Sequence, residues 1–591
     1  MNFERFYEKL CKSLGRFEGL RNFQKPPEEL ERNIKVADLG VTGEEVVSLA
    51  FFGLLAGVAI TVIVTFFSFL LNFSILAPLI TVPIPVLLYF SVGFYPSWRA
   101  EKERTKGMSG VPRLISYLTV ALKINPNLEK AAIFSANQTK KSIGESFRGE
   151  LWKACIGPHN NMREALTSFS LKWEGESEEL KRSIDLLKNS VSENNKETRK
   201  RVLNQALSTS FEGVRNKMES FAAGLQLPTT IIYGMGVLLP LVLLAVLPVL
   251  SSTGIQIGGF ELGLIYCVVI PLTIYILQKQ VLSQRPTAFS SPEIPSKDDK
   301  RKAMTIPVLI LSAPAVMSLI IGLSNVFLSL ILIWSISSAI AFYCYLSSFE
   351  TFKTRKMNQK LERELCDALT QLGSQLKSNR PIEGALQRTT RTTKGCKISE
   401  ILEKTLSNLK MGGMNTHSAF FDPEEGSLKE VHSGPVLHTF RMLVSLLDRS
   451  SREAGEAILH TSEHLKKLQE VEKQVRRALQ EMVSSMKSVA LFFAPFVASV
   501  TVQLQQLLSE KTSNIPIFGT KVQISSATFL GVLGLYVMII TILLSSYTVE
   551  IEVGNDKLTK RMTIAKALPT ATSVYTIGLF LGKQMLSFLL G

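Results

Sequence analysis

The chain lacks the residue constellations on which most enzymes are built. Its six cysteines include no C-x-x-C pair, and its six histidines include no H-E-x-x-H helix. These absences remove the common dithiol and zinc signatures. No glycine-rich loop ends in Gly-Lys-Ser or Gly-Lys-Thr, the pattern that cradles phosphates. The nearest approach, Gly578 to Gln584 (GLFLGKQ), is one residue short, lacks the hydroxyl side chain and lies in an apolar run. Gly578 and Gly582, like Gly53 and Gly57, are therefore read as helix-packing positions. His460 and His464 stand four apart, with no cysteine nearby in sequence, and are read as part of a solvated helix face. The cysteines are expected to be free thiols. No enzyme, cofactor or metal site is expected. Alternation of apolar and polar residues is also scarce, which argues against strands.

What the chain has is segregation. Its 66 Lys and Arg against 50 Asp and Glu give a net charge of +16, yet the mean hydropathy is +0.20. Charged and apolar residues must therefore occupy separate blocks. No charge occurs from Val46 to Trp98, and only Glu261 from Ser220 to Gln278. None occurs from Ala303 to Phe349, and few from Ser488 to Thr548. About 20 residues of helix cross a bilayer. The runs, with a last one from about Ala567 to Leu590, predict nine transmembrane helices. The expected divisions are 1–45 (N-terminus), 46–96 (helices one and two), 97–228 (first soluble block) and 229–280 (three and four). They continue with 281–303 (linker), 304–346 (five and six), 347–486 (second soluble block), 487–547 (seven and eight) and 563–590 (nine).

Of the 66 basic residues, 63 fall on one side if these helices alternate. The positive-inside rule then makes the N-terminus and both large blocks cytoplasmic and the C-terminus external, in a multi-pass protein of the cell membrane. The charge is thus a topology signal, and no nucleic-acid partner is expected. Phe3, Phe6, Leu10, Leu14 and Phe17 give the N-terminus an amphipathic face, for the inner leaflet or for the chain's own cytoplasmic bundle.

The halves repeat. LKINPNLEKA (Leu122 to Ala131) matches LKSNRPIEGA (Leu376 to Ala385) at an offset of 254, and Pro240 matches Pro495 at 255. Each soluble block has helical periodicity, as in Leu361, Leu365, Ala368, Leu372 and Leu376. The fold class is all-α: membrane helices with two duplicated cytoplasmic helical bundles. The repeated corners, with Asn125, Glu129, Asn379 and Glu383, are one candidate site. Helix capping is the structural account of the same residues.

In these features the chain resembles the F-domain family, the membrane platform proteins of type II secretion and type IV pilus machines. The two corner motifs carry the resemblance, with GVLLPLVLLAVLP and LFFAPFVASVTVQL, whose mid-helix prolines are Pro240 and Pro495. A membrane pair before each bundle is most similar to the archaeal branch, which includes archaellum and tight-adherence-like pilus platforms. The resemblance covers roughly residues 46–547. It implies a non-catalytic platform that binds a cytoplasmic secretion ATPase, usually hexameric. That platform would couple ATPase motion to extraction of prepilin-like subunits and filament assembly, as a monomer or a homodimer. Arg199, Lys200 and Arg201, with Arg476 and Arg477, are the densest basic runs and the candidate ATPase contacts. The alternatives are a secondary transporter of duplicated fold and a membrane-bound enzyme or sensor. Ionisable residues are nearly absent from the apolar runs, which counts against the transporter.

Overall fold

The structure, a computed structural model, describes residues 2–14, 26–37, 39–70, 83–100, 110–139, 142–157, 161–173, 177–243, 259–283, 285, 325–447, 450–512 and 525–590. Every regular element among them is a helix. Seven helices among the described residues are long and apolar enough to cross a membrane, so the chain reads as a multi-pass membrane protein. The expected fifth span, from residue 304, and most of the expected linker at 281–303 lie outside the described residues.

The first helix is α1 (Asn2–Leu14). It packs on the end of the first apolar helix, α3 (Gly43–Leu70), which follows α2 (Glu28–Val36). Tyr7 and Cys11 are buried there with Val46 and Leu49, and the Tyr7 hydroxyl donates to the Val92 carbonyl at 3.1 Å. Gly57 of α3 allows close approach to α4 (Pro83–Gly93), since a Cβ there would sit 2.5 Å from the Pro85 Cα.

The first bundle contains α5 (Val111–Ile124), α6 (Leu128–Gln138), α7 (Ser142–Ile156), α8 (Met162–Lys172), α9 (Glu178–Ser190) and α10 (Lys196–Gly224). Its core holds Leu114, Phe147, Phe169, Ile184 and Phe211. The chain continues through α11 (Gln226–Tyr233), α12 (Gly259–Leu264), α13 (Ile270–Ser283) and α14 (Asn325–Leu346). The second bundle follows in a matching order of six helices. These are α15 (Phe349–Lys377), α16 (Ile382–Thr392), α17 (Lys397–Lys410), α18 (Thr416–Phe421), α19 (Gly434–Leu447) and α20 (Ser451–Ser488). Phe169 and Phe420 are both fully buried, against Phe147 and Phe440 respectively. Asn161 and Asn415, 254 apart, each cap the next helix by accepting a backbone N–H, from Glu164 and Ser418.

The apolar helices that follow the first bundle share a core around Tyr266, Leu533, Tyr536, Ile540 and Tyr575. It is completed by α21 (Ala494–Thr512), α22 (Ser526–Glu552) and α23 (Lys557–Leu590). Gly578 and Gly582 face α21, where an added Cβ would meet Ser499 Cβ at 2.8 Å and Gln503 Cγ at 2.7 Å. Small residues permit this close crossing, as the sequence pattern leads one to expect. Gln503 then donates to the Leu579 carbonyl at 2.9 Å. Residues 548–562, between the expected eighth and ninth spans, are mostly helix. Residues 553–556 alone form the turn, with Gly554 at φ +96°.

Candidate functional site

Both repeated corners are helix ends. Asn125 terminates α5, and its N–H donates to the Ala121 carbonyl at 2.9 Å. The cap of α6 is Asn127, whose side chain accepts from the Lys130 N–H at 2.9 Å. In the second corner Asn379 takes φ +58°, the left-handed geometry that asparagine tolerates after a helix, and donates to the Leu376 carbonyl. Glu129 and Glu383 both lie in the first turns of their helices, where a carboxylate complements the helix dipole.

The long helices α10 and α20 run side by side in the same direction. Phe211 of α10 stacks on His464 of α20 with ring centroids 5.9 Å apart, and Met218 and Val475 share the membrane core. Lys200 lies near Lys123 of α5 and His460 of α20, so it borders the seam between bundles. Arg199 donates to the Glu193 carbonyl at 3.5 Å, and Arg201 is exposed. Arg476 pairs with Glu472 of its own helix at 3.6 Å, and Arg477 is exposed. The two basic runs are not brought together. Arg199 starts its helix, whereas Arg476 stands only three turns before the end of α20, roughly 18 Å from it at 1.5 Å per residue.

His464 is not on a solvated face. Its ring is buried between bundles, and burial chiefly, with Lys123, Lys467 and Arg113 nearby, lowers its pKa to about 3. The folded protein therefore holds it neutral, whereas the unfolded chain takes up a proton near 6.5. Its contribution is fully present above that value and is lost as pH falls toward 3. At pH 5 the loss is about 2 kcal/mol. A His464→Phe variant keeps the stack and is expected to lose about 2 kcal/mol less than wild type between pH 7.5 and 5. Chemical unfolding at both pH values in detergent measures the difference.

The turn between α22 and α23 is a hub that sequence reasoning missed. Glu550 receives Lys279 of α13 at 3.3 Å and also Lys560 of α23. Glu552 pairs with Lys487 of α20 at 3.0 Å. Asp556 accepts from Arg355 of α15 and from Thr559. Arg285, buried after α13, donates from Nε to the Ile551 carbonyl at 2.8 Å. Its burial lowers its pKa to about 10, against the pull of Glu550. Three helices from remote parts of the chain are thus tied to one short turn, and two of them, α15 and α20, belong to the second bundle.

Both singled-out prolines follow a widened turn. Residues Gly234–Leu238 and Val489–Phe493 form π-turns, closed by N–H bonds from Leu239 to the Gly234 carbonyl and from Ala494 to Val489. The next residues are Pro240 and Pro495. A third π-turn, Ile265–Val269, is closed by Ile270 and followed by Pro271. Proline has no N–H and frees a carbonyl one turn back. The Tyr536 hydroxyl donates to the Gly236 carbonyl at 2.5 Å, and Thr541 donates to Ala490 at 3.5 Å. Tyr266, edge-on to Tyr536, donates to the Pro240 carbonyl at 2.7 Å.

Among the described residues, no group of three or more His, Cys, Asp or Glu is placed to hold a metal ion. No protein-family model matches the chain, and no curated protein or solved structure shows a significant match to it.

Proposed function

We propose that this chain is the membrane platform of a type IV pilus-like or type II secretion-like machine. In this reading it has nine membrane helices, and its two bundles are cytoplasmic and duplicated. They bind a secretion ATPase and pass its motion to prepilin-like subunits in the bilayer, and the platform itself has no catalytic centre. One observation carries the reading. Two six-helix bundles of matching order each run through one long helix, a π-turn and a proline into the membrane core, with the π-turns 255 residues apart. That is a mechanical connection from soluble domain to membrane, made twice. Such a connection conveys motion, whereas ion coupling calls for charged sites inside the bilayer.

The test uses the full chain in detergent and in liposomes. It is expected to co-purify with a secretion ATPase encoded beside its own gene, and to move no small solute alone. Solute uptake by liposomes holding this chain only would overturn the reading in favour of a transporter.

A further inference from the structure

We propose that the membrane-distal ends of the two bundles form one two-point docking surface for a soluble protein. That protein meets it with apolar contacts set within an acidic rim. The proposal rests on the platform reading and names where its cytoplasmic partner sits.

The ends are located by contacts. Asn125 closes α5 beside the start of α10, since Lys123 and Lys200 are neighbours. The α7–α8 turn is at the same end, because Arg163 donates to Ser192, just before α10, at 3.2 Å. In the second bundle Gly455 of α20 packs against the Lys377 backbone, placing the start of α20 beside the Asn379 corner. Met411 follows α17 on the corner side, because Lys410 reaches Gln387 of α16 at 3.3 Å. From Lys196 to Leu225 the helix spans about 44 Å at 1.5 Å per residue, so this end stands well clear of a bilayer. Lipid is therefore not its occupant.

Apolar side chains stand out there. Trp152 is 66% exposed, Ile156 62% and Met411 89%. Buried tryptophan and isoleucine are ordinary, but a tryptophan largely in water on a rigid helix is the kind of residue that anchors interfaces. The two bundles act as controls for each other. Ile156 ends α7 and Met411 directly follows α17, so both ends carry an exposed apolar side chain. At the offset of 254 Trp152 corresponds to Leu406, which packs against the second bundle's core, so only the first bundle carries the larger anchor. Beside Trp152, Gly149 has open space where a Cβ would stand. The surrounding charge selects the partner. Arg199, Lys200 and Arg201 begin α10 at this end, and the segment 97–228 has 22 basic residues against 15 acidic. An acidic rim on the partner speeds and orients docking.

The experiment measures binding of the purified secretion ATPase to full-length chain in nanodiscs. Trp152→Glu and Met411→Glu are each expected to weaken Kd at least about tenfold, and the double variant about a hundredfold. Leu171→Glu alters an apolar residue 54% exposed, at the opposite end of the hairpin beside Ser146 and Trp173, and is expected to change Kd less than about twofold. Elution volume and melting temperature check that each variant is folded. A photo-crosslinking residue placed at position 152 is expected to capture the ATPase. Wild-type binding with a double variant within about threefold of it overturns the docking surface and leaves the platform reading standing. Failure of wild type to bind the ATPase overturns both.

Discussion

Replacing Arg355 with alanine is expected to destabilise the protein by about 3–5 kcal/mol, the range for breaking a buried ion pair from one side. Arg355 is 5% exposed, and its guanidinium reaches Asp556 and, at 3.4 Å, Thr559. Removing it leaves the Asp556 carboxylate in a poorly hydrated turn. Asp556 retains the Thr559 hydroxyl and the Leu558 N–H at 3.2 Å, so the loss lies within that range rather than beyond it. The double variant Arg355→Leu with Asp556→Asn is expected to recover much of the loss, because no charge remains unpaired. Lys487→Ala makes a contrast. That lysine is 44% exposed at the side chain, and an ion pair so open to water contributes about 0–1 kcal/mol. Unfolding in detergent with all four proteins measures these differences. If Arg355→Ala cost no more than Lys487→Ala, the hub would be a surface feature rather than a joint.

Gly455→Val is expected to be the most damaging substitution in the second bundle. A Cβ at Gly455 would lie 2.8 Å from the Gly373 carbonyl oxygen, and Gly373 in turn would press on the Gly455 carbonyl at 3.0 Å. Both obstacles are backbone, so neither can swing aside. Helices α15 and α20 would have to separate, opening the layer around Leu372, Leu376 and Ile458. Overpacking of this sort costs about 1–3 kcal/mol for a methylene or two, and the valine adds more bulk than that. Gly384 of α16 is the control, with nothing near its Cβ position. Gly384→Ala is expected to stabilise by about 0.5–1 kcal/mol through helix propensity. Melting temperatures of the two variants should move in opposite directions.

Helices were legible in the sequence because their signals are local. A charge-free run, a period of 3.6 or a proline after an asparagine is visible without knowing what lies across the fold. The Leu361 to Leu376 face is buried as its spacing predicts. The Asn161 and Asn415 caps are visible too, as asparagines 254 apart ahead of helical runs. The hub was not legible. Lys279, Arg285, Arg355 and Lys487 lie 65 to 271 positions from the acidic turn they bind, and each alone reads as a helix-end charge. The burial of His464 was missed for the same reason. Its helix looks amphipathic and charged, and only the neighbouring bundle, through Phe211, removes it from water. The π-turns leave no compositional trace beyond the proline that follows each one.

Those π-turns have a consequence for how the two ends of a long helix relate. A π-turn holds one extra residue within the helix, and one residue is a rotation of about 100° at 3.6 per turn. Side chains before Gly234 and after Leu238 therefore obey different phases, as do those flanking Val489 and Phe493. Each long helix carries two independent apolar stripes, one aimed into a water-soluble core and one into a membrane core. Deleting one residue within either turn would bring the stripes into a common phase. The bulge that absorbs the extra residue would then close into regular α-helix, with both stripes still turned to their own cores.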